Sequence, residues 1–231
     1  MPVLRGSPLR EPGSGGPGWA CVAVLADSGR AQAASRSCGD PFEDEAGQVG
    51  VGGGRAALRT RKGLDWSDKF QVLAAQAASW PEGVVDGELC ALGQDGTPDF
   101  SALQAAISDG ETDKLIYFAF DLLFDADEDL RNLPLAHRKA RLQAYVDRVG
   151  AAGPHLRFVE HFASSGEAVL KSACRMDLEG VISKKLDDPY RAGRTASWVK
   201  SKCRGRDEVV IGGWSSEGGA RLRSLLVGVR E

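Results

Sequence analysis

The first lysine of this chain is Lys62. Any chemistry that needs a primary amine on a side chain is therefore confined to residues 62–231. Composition switches at nearly the same place. Before residue 54 lie half of the ten prolines (Pro2, Pro8, Pro12, Pro17, Pro41) and the glycine clusters Gly13-Ser14-Gly15-Gly16 and Gly52-Gly53-Gly54. Glycine and proline at this density break regular elements and raise the entropy cost of ordering. Apart from a short apolar run at 19–26, there is no sustained alternation and no helical stripe. The pattern predicts that residues 1–54 are largely disordered or non-homologous to the rest, with the foldable part starting at 55.

Across 231 residues, 42% are hydrophobic, enough for a core, so wholesale disorder is excluded. No apolar run approaches the roughly 20 residues of a membrane helix, and no basic start leads into an apolar stretch as in a secretory signal. The expected setting is cytoplasmic, with no membrane partner. Five cysteines (Cys21, Cys38, Cys90, Cys174, Cys203) are scattered and form no Cys-x-x-Cys pair. They predict free thiols in a reducing compartment rather than zinc or a disulfide framework. His137, His155 and His161 show no metal spacing, and His137 is expected to face solvent. No Gly-x-x-x-x-Gly-Lys phosphate loop occurs. With a net charge of -3, a nucleic-acid binder would have to gather its positive charge in one place.

From residue 55 onward helices and strands alternate irregularly. Ser67 or Asp68 can cap a helix carrying Phe70, Leu73, Ala74 and Ala77 on one face. Strands are expected over 84–92, 115–124, 157–162, 180–185 and 198–202, with a last pair over 208–214 and 224–229. Helices are expected over 100–107, from Pro134 to 149 with Leu135, Leu142 and Val149 inward, and over 167–175. Mixed order without regular βαβ alternation indicates an α+β fold.

Four segments carry candidate chemistry. In Val84-Val85-Asp86-Gly87-Glu88-Leu89, two carboxylates two residues apart share one strand face. That face could equally be solvated. In Tyr117-Phe118-Ala119-Phe120-Asp121-Leu122, Phe118 and Phe120 offer a ring either to the core or to a flat ligand. Leu178-Glu179-Gly180-Val181-Ile182-Ser183-Lys184-Lys185 has a carboxylate at a strand entry and lysines at its exit. Trp198-Val199-Lys200-Ser201-Lys202-Cys203 points two ammonium groups the same way, as a phosphate would require or as a protected edge strand would show. From Lys184 to Arg206 there are eight basic residues (Lys184, Lys185, Arg191, Arg194, Lys200, Lys202, Arg204, Arg206) against Asp187 and Asp188. This is the local patch that the overall charge demands.

In this order, Asp-Gly-Glu, aromatic-Phe-Asp, Glu-Gly-x-x-x-Lys and Lys-x-Lys resemble the motif series of covalent nucleotidyltransferases. The chain is most similar to the ligase domain of bacterial ATP-dependent DNA ligases of the end-joining type. Connecting stretches agree: Arg59-Thr60-Arg61-Lys62-Gly63-Leu64-Asp65-Trp66, Asp99-Phe100-Ser101-Ala102-Leu103-Gln104 and Pro189-Tyr190-Arg191-Ala192-Gly193-Arg194. The resemblance spans about residues 55–230. It implies a nucleotidyltransferase (ATP-grasp-like) fold of antiparallel sheets flanked by helices over 55–206, followed at 207–231 by the first strands of a truncated OB-fold. An OB-fold needs five strands.

In that family a lysine nitrogen takes AMP from ATP and passes it to a 5′-phosphate, and a 3′-hydroxyl then seals the strand. The resemblance implies Glu88 at the ribose hydroxyl and Phe120 stacked on adenine. It implies Arg61, Lys184, Lys200 and Lys202 at the nucleotide, the lysine pair at its α-phosphate. Glu179 would hold Mg2+ or Mn2+, and Arg191, Arg194, Arg204 and Arg206 would contact DNA. Nicked or broken double-stranded DNA and end-joining repair proteins are the implied partners, at the nucleoid. One element is missing. The family's nucleophile sits in Lys-x-Asp-Gly, upstream of the stretch matching Arg59–Gly63, where this chain reads Asp40-Pro41-Phe42-Glu43-Asp44-Glu45-Ala46-Gly47. Arginine is no replacement, because its guanidinium stays protonated. Such a switch is what a change of reading frame or a fusion to unrelated sequence leaves behind.

Overall fold

The computed structural model describes residues 19–24, 46–60, 62–94, 96–162, 165–176, 178, 180–192, 198–203, 210–216 and 222–228. The chain divides into two units, one of residues 1–28 and 44–203, the other of 29–43 and 204–231.

The first unit holds a six-stranded sheet and a three-stranded sheet. The strands are β1 (Trp19–Val24), β2 (Ala46–Gly52), β3 (Arg55–Thr60), β4 (Gly83–Cys90), β5 (Ile116–Asp125), β6 (Glu128–Asp129), β7 (Leu156–Phe158), β8 (Gly180–Lys185) and β9 (Trp198–Lys202). The larger sheet runs β3-β2-β4-β5-β6, all antiparallel, with β7 joining β5 in parallel. The smaller runs β1-β8-β9, also antiparallel. Helices α1 (Gln71–Ala77), α2 (Phe100–Asp109), α3 (Leu135–Val149) and α4 (Gly166–Arg175) complete it. This is the α+β arrangement expected, antiparallel sheets with helices against them.

Two strands lie inside the segment expected to be disordered or non-homologous. For 46–52 the correction has a clear cause. β2 is hydrogen-bonded on both edges, to β3 and to β4, and Val49 and Val51 alternate into the core. A strand paired on two sides overrides the poor intrinsic propensity of its glycines. The Gly52-Gly53-Gly54 cluster is a turn signal rather than a disorder signal. Gly52 pairs with Arg55, and Gly53 and Gly54 both have positive φ (58° and 69°), as a two-residue type I′ hairpin loop demands. β1 pairs with β8 from Trp19↔Lys185 to Val24↔Gly180.

The core gathers Val49, Leu58, Phe70, Leu73, Ala77, Val85, Leu89, Tyr117, Leu122, Leu142, Tyr145 and Val149. Leu135, Leu142 and Val149 of α3 are buried and His137 is exposed, as the helical stripe predicted. The cap of α1 differs from expectation. Its N-cap is Phe70, while Ser67 accepts from the Leu58 amide and donates to Asp65. α2 is capped by Asp99, which accepts from the Ala102 amide. The strand expected over 157–162 shrinks to three residues.

The cysteine reading is corrected as well. Cys174 and Cys203 form a disulfide with Cα atoms 5.3 Å apart, and Cys90 is buried and outside any disulfide. α4 folds back against β8, which brings together sulfurs that are 29 residues apart in sequence.

In the second unit, β10 (Val210–Ser216) and β11 (Leu222–Gly228) form an antiparallel hairpin. Val210, Ile211, Trp214 and Leu226 on it are all more than half exposed.

Tyr117 is 1% exposed, and its hydroxyl lies 2.9 Å from the carbonyl oxygens of both Gly47 and Val85. Its ring passes over Gly87, where an added Cβ would fall 2.5 Å from Tyr117 Cζ and 2.7 Å from the Phe118 carbonyl oxygen. The glycine of Asp-Gly-Glu is thus dictated by a buried ring. Gly87→Ala should lower unfolding free energy by about 1–3 kcal/mol, the usual cost of overpacking, as read by urea denaturation.

Candidate nucleotide site

β4 and β5 bring the two acidic motif segments side by side. Asp86 pairs with Asp121, Gly87 with Ala119 and Glu88 with Phe118. The register shift between Asp86 and Gly87 leaves Phe120 without a cross-strand partner. Phe120 is half-buried there, between Ala119 and Asp121, both fully buried.

A carboxylate at such depth is costly to bury without a partner. α3 supplies it. Arg138, 2% exposed, donates through Nε to Asp121 Oδ1 at 2.9 Å and through a terminal nitrogen to Oδ2 at 2.8 Å. This is the two-pronged geometry that suits a guanidinium and a carboxylate. The remaining guanidinium nitrogen donates to the carbonyls of Leu133 (2.6 Å) and Asp188 (3.2 Å). Arg138 therefore ties β5 to the loop after β8. From that loop Tyr190 donates its hydroxyl proton to Asp86 Oδ2 at 3.1 Å. Burial and the Asp86 charge hold the Tyr190 phenol above its ordinary range.

Lys184 on β8 is 3% exposed and sits opposite Trp198 on β9. Its ammonium lies 4.4 Å from the Phe120 ring centroid and 3.7 Å from that of Trp198. Two aromatic faces thus bracket one cation. Burial pushes Lys184 down to about 8, against the pull of Asp121 and Asp86 and with a further push from Arg138. Lys139, next to Arg138, donates to the Val159 carbonyl and lies 4.2 Å over the Phe158 ring. Burial first, then the like charge of Lys184, lower it to about 8 as well, opposed by Asp121.

The structure brings Phe120 and Lys184 together here, and pairs Glu88 on β4 with Phe118 on β5. Glu88 is half-buried on β4. Lys200 and Lys202 lie two apart on β9, opposite Ile182 and Gly180, and are exposed. Arg191 is exposed, directly after Tyr190. Arg61, Glu179, Arg194, Arg204 and Arg206 lie outside the described residues. Sequence reasoning did not single out Arg138, Lys139, Tyr190, or Asp121 as an ion-pair partner. One signal was available: 138 and 139 fall on the Leu135–Leu142 stripe of α3, where cations have no place unless something inside receives them.

Removing one partner of the buried pair should cost far more than removing both. Arg138→Ala is expected to destabilise by about 3–5 kcal/mol, and the double change Arg138→Met with Asp121→Leu by clearly less, measured by urea unfolding. The lysines carry a pH signature. In the unfolded chain they hold protons up to about 10.5, but in the folded chain they release them near 8. Since the unfolded state binds more protons in that interval, stability should rise with pH from 8 toward 10. Lys184→Met should reduce that slope in a pH series of denaturation midpoints.

Comparison with known proteins places this geometry in a family. The model of the ATP dependent DNA ligase domain matches residues 47–202. The multifunctional non-homologous end joining protein LigD of Pseudomonas aeruginosa is 39% identical over 184 residues, which cover 76% of this chain and 21% of that protein. The LigD protein of Mycobacterium tuberculosis H37Rv is 32% identical over 182 residues, covering 76% of this chain and 23% of that protein. The chain thus spans about a fifth of the length of these relatives. The crystal structure of the ligase domain of M. tuberculosis LigD superposes with a TM-score of 0.66 at 28% identity, over 95% of this chain and 65% of that one. The Chlorella virus DNA ligase-adenylate shares the fold at a TM-score of 0.54 and 15% identity, over 87% of this chain and 68% of that one. The match opens at residue 47, eight residues before the boundary drawn from composition, and it takes in β2. With its sheets, its buried Asp121–Arg138 pair and its motif order accounted for, the chain belongs to the ATP-dependent DNA ligase domain family.

Proposed function

We propose that this chain descends from an end-joining DNA ligase, keeps the ATP pocket and the phosphate-facing lysines, and does not form lysyl-AMP. One observation carries the reading: no lysine occurs before Lys62, and no Lys-x-Asp-Gly occurs anywhere. Adenylation needs an unprotonated amine at the α-phosphorus, where an N–P bond forms as pyrophosphate leaves. The remaining buried amines are committed elsewhere. Lys184 is enclosed by two rings, and Lys139 is engaged by the Val159 carbonyl.

What the chain retains is binding. Phe120, raised on its bulge and backed by the Lys184 cation, presents a ring for adenine. Glu88, on the neighbouring strand, takes the ribose hydroxyl. Lys200 and Lys202, exposed on one face of β9, take the α-phosphate, with Arg61 beside the nucleotide. Among the described residues, no group of three or more His, Cys, Asp or Glu could hold a metal ion. A divalent ion, Mg2+ or Mn2+, would rest on Glu179 and on phosphate oxygens of ATP itself, where it would neutralise phosphate charge.

The LigD relatives are named for non-homologous end joining. By that kinship, nicked or broken duplex DNA is the polynucleotide partner, met at the nucleoid in the cytoplasm together with end-joining proteins. Arg191, Arg194, Arg204 and Arg206 supply phosphate contacts. Among the described residues, no helix is long and apolar enough to cross a membrane. By the same kinship, the adenylation domain takes in the match at 47–202, β2 included, and 207–231 carries the start of an OB-fold, whose first hairpin β10–β11 would be.

Incubation of the chain with α-labelled ATP and Mg2+ is the test. Expected are saturable ATP binding by equilibrium dialysis and no label surviving denaturation. A label that survives denaturation overturns the loss of chemistry. Salt-sensitive DNA binding without any ATP binding would favour a nucleic-acid-binding remnant instead.

A further inference from the structure

The nucleotide reading makes no use of the disulfide. Cys174 lies in the last turn of α4, and Cys203 is the first residue after β9. The loop they close contains β8 and β9, hence Lys184, Lys200 and Lys202. Among the described residues β9 is an edge strand, paired with β8. The sulfur link to α4 gives its end an anchor besides the ladder with β8. Cys203 is also the last residue of the first unit, and Arg204 opens the next segment of the second. Both cysteines are half-buried rather than sealed in the core, and each has an exposed cation as chain neighbour, Arg175 and Lys202. The thiolate is the form that exchanges. Cys90, by contrast, is only 6% exposed.

We propose that Cys174 and Cys203 are a reversible redox pair that sets how firmly the end of β9 is held. The oxidant is a low-molecular-weight disulfide and the reductant a dithiol. One thiolate attacks the small disulfide and forms a mixed disulfide, releasing one small thiol. The second cysteine, having lost its proton, attacks the protein-side sulfur and expels the other small thiol. Two protein thiols are thereby oxidised by two electrons, and one small disulfide is reduced to two thiols. Reduction by a dithiol runs the same exchange backward. In the oxidised state the end of β9 is pinned to α4. In the reduced state that pin is gone and the ladder with β8 remains.

The test needs neither ATP nor DNA, so it stands or falls apart from the nucleotide reading. The full chain is equilibrated with glutathione disulfide or with dithiothreitol. Each sample is digested without reduction for mass spectrometry, and hydrogen exchange is followed in peptides covering 198–203. Expected are a linked Cys174–Cys203 peptide in the oxidised sample only, and exchange in β9 slower by about tenfold or more than in the reduced sample. Cys174→Ser should exchange at the reduced rate in both conditions and carry glutathione on Cys203. Absence of the linked peptide overturns the proposal. So does equal exchange of β9 in the two states of the unmodified sequence, a comparison that does not depend on how the variant folds.

Discussion

The buried pair of Arg138 and Asp121 is the interaction on which the rest of this arrangement depends. It places a charge from a helix against a charge from the central region of a sheet, at 2% and 0% side-chain exposure. A pair of this kind adds little net stability over an apolar replacement, because both ions must leave water. What it does here is fix position. The same guanidinium holds the carbonyls of Leu133 and Asp188, and the Asp188 carbonyl also accepts the Leu135 amide. α3, β5 and the loop carrying Tyr190 are thus locked to one point. Phe120 is the residue directly before Asp121, so the locked carboxylate also holds that ring against Lys184.

Much of this fold was legible in the sequence because period and apolarity agree. The 135–142–149 stripe of α3 and the apolar run of β5 lie where expected, and β8 and β9 keep their expected bounds. What was not legible was set by contacts far apart in the chain. β2 looked unstructured because glycine dominates it, yet its edges are satisfied by strands on both sides. The Cys174–Cys203 bond depends on a helix folding back over a strand. Of the candidate site, Glu88, Phe120 and Lys184 could be named from motif order alone. Their surroundings could not, because a buried ion pair gives no local pattern beyond a cation on the wrong stripe.

The electrostatics of this cluster stem from its burial. Arg138, Lys139 and Lys184 are cations at 3% exposure or less, against the carboxylates of Asp121 and Asp86. Positive charge is in excess in a place poor in water. Two lysines answer by losing protons more readily than in solution.

The bracketing of Lys184 has a consequence for assembly. Phe120 belongs to the larger sheet and Trp198 to the smaller, so the ammonium finds both rings only when the two sheets have come together. A slip of β8 by one residue would bring Ser183 or Lys185 to the rings and turn Lys184 to the opposite face. The cation therefore acts as an indexing pin, accepting a single alignment of the two layers and penalising neighbouring ones with a stranded charge.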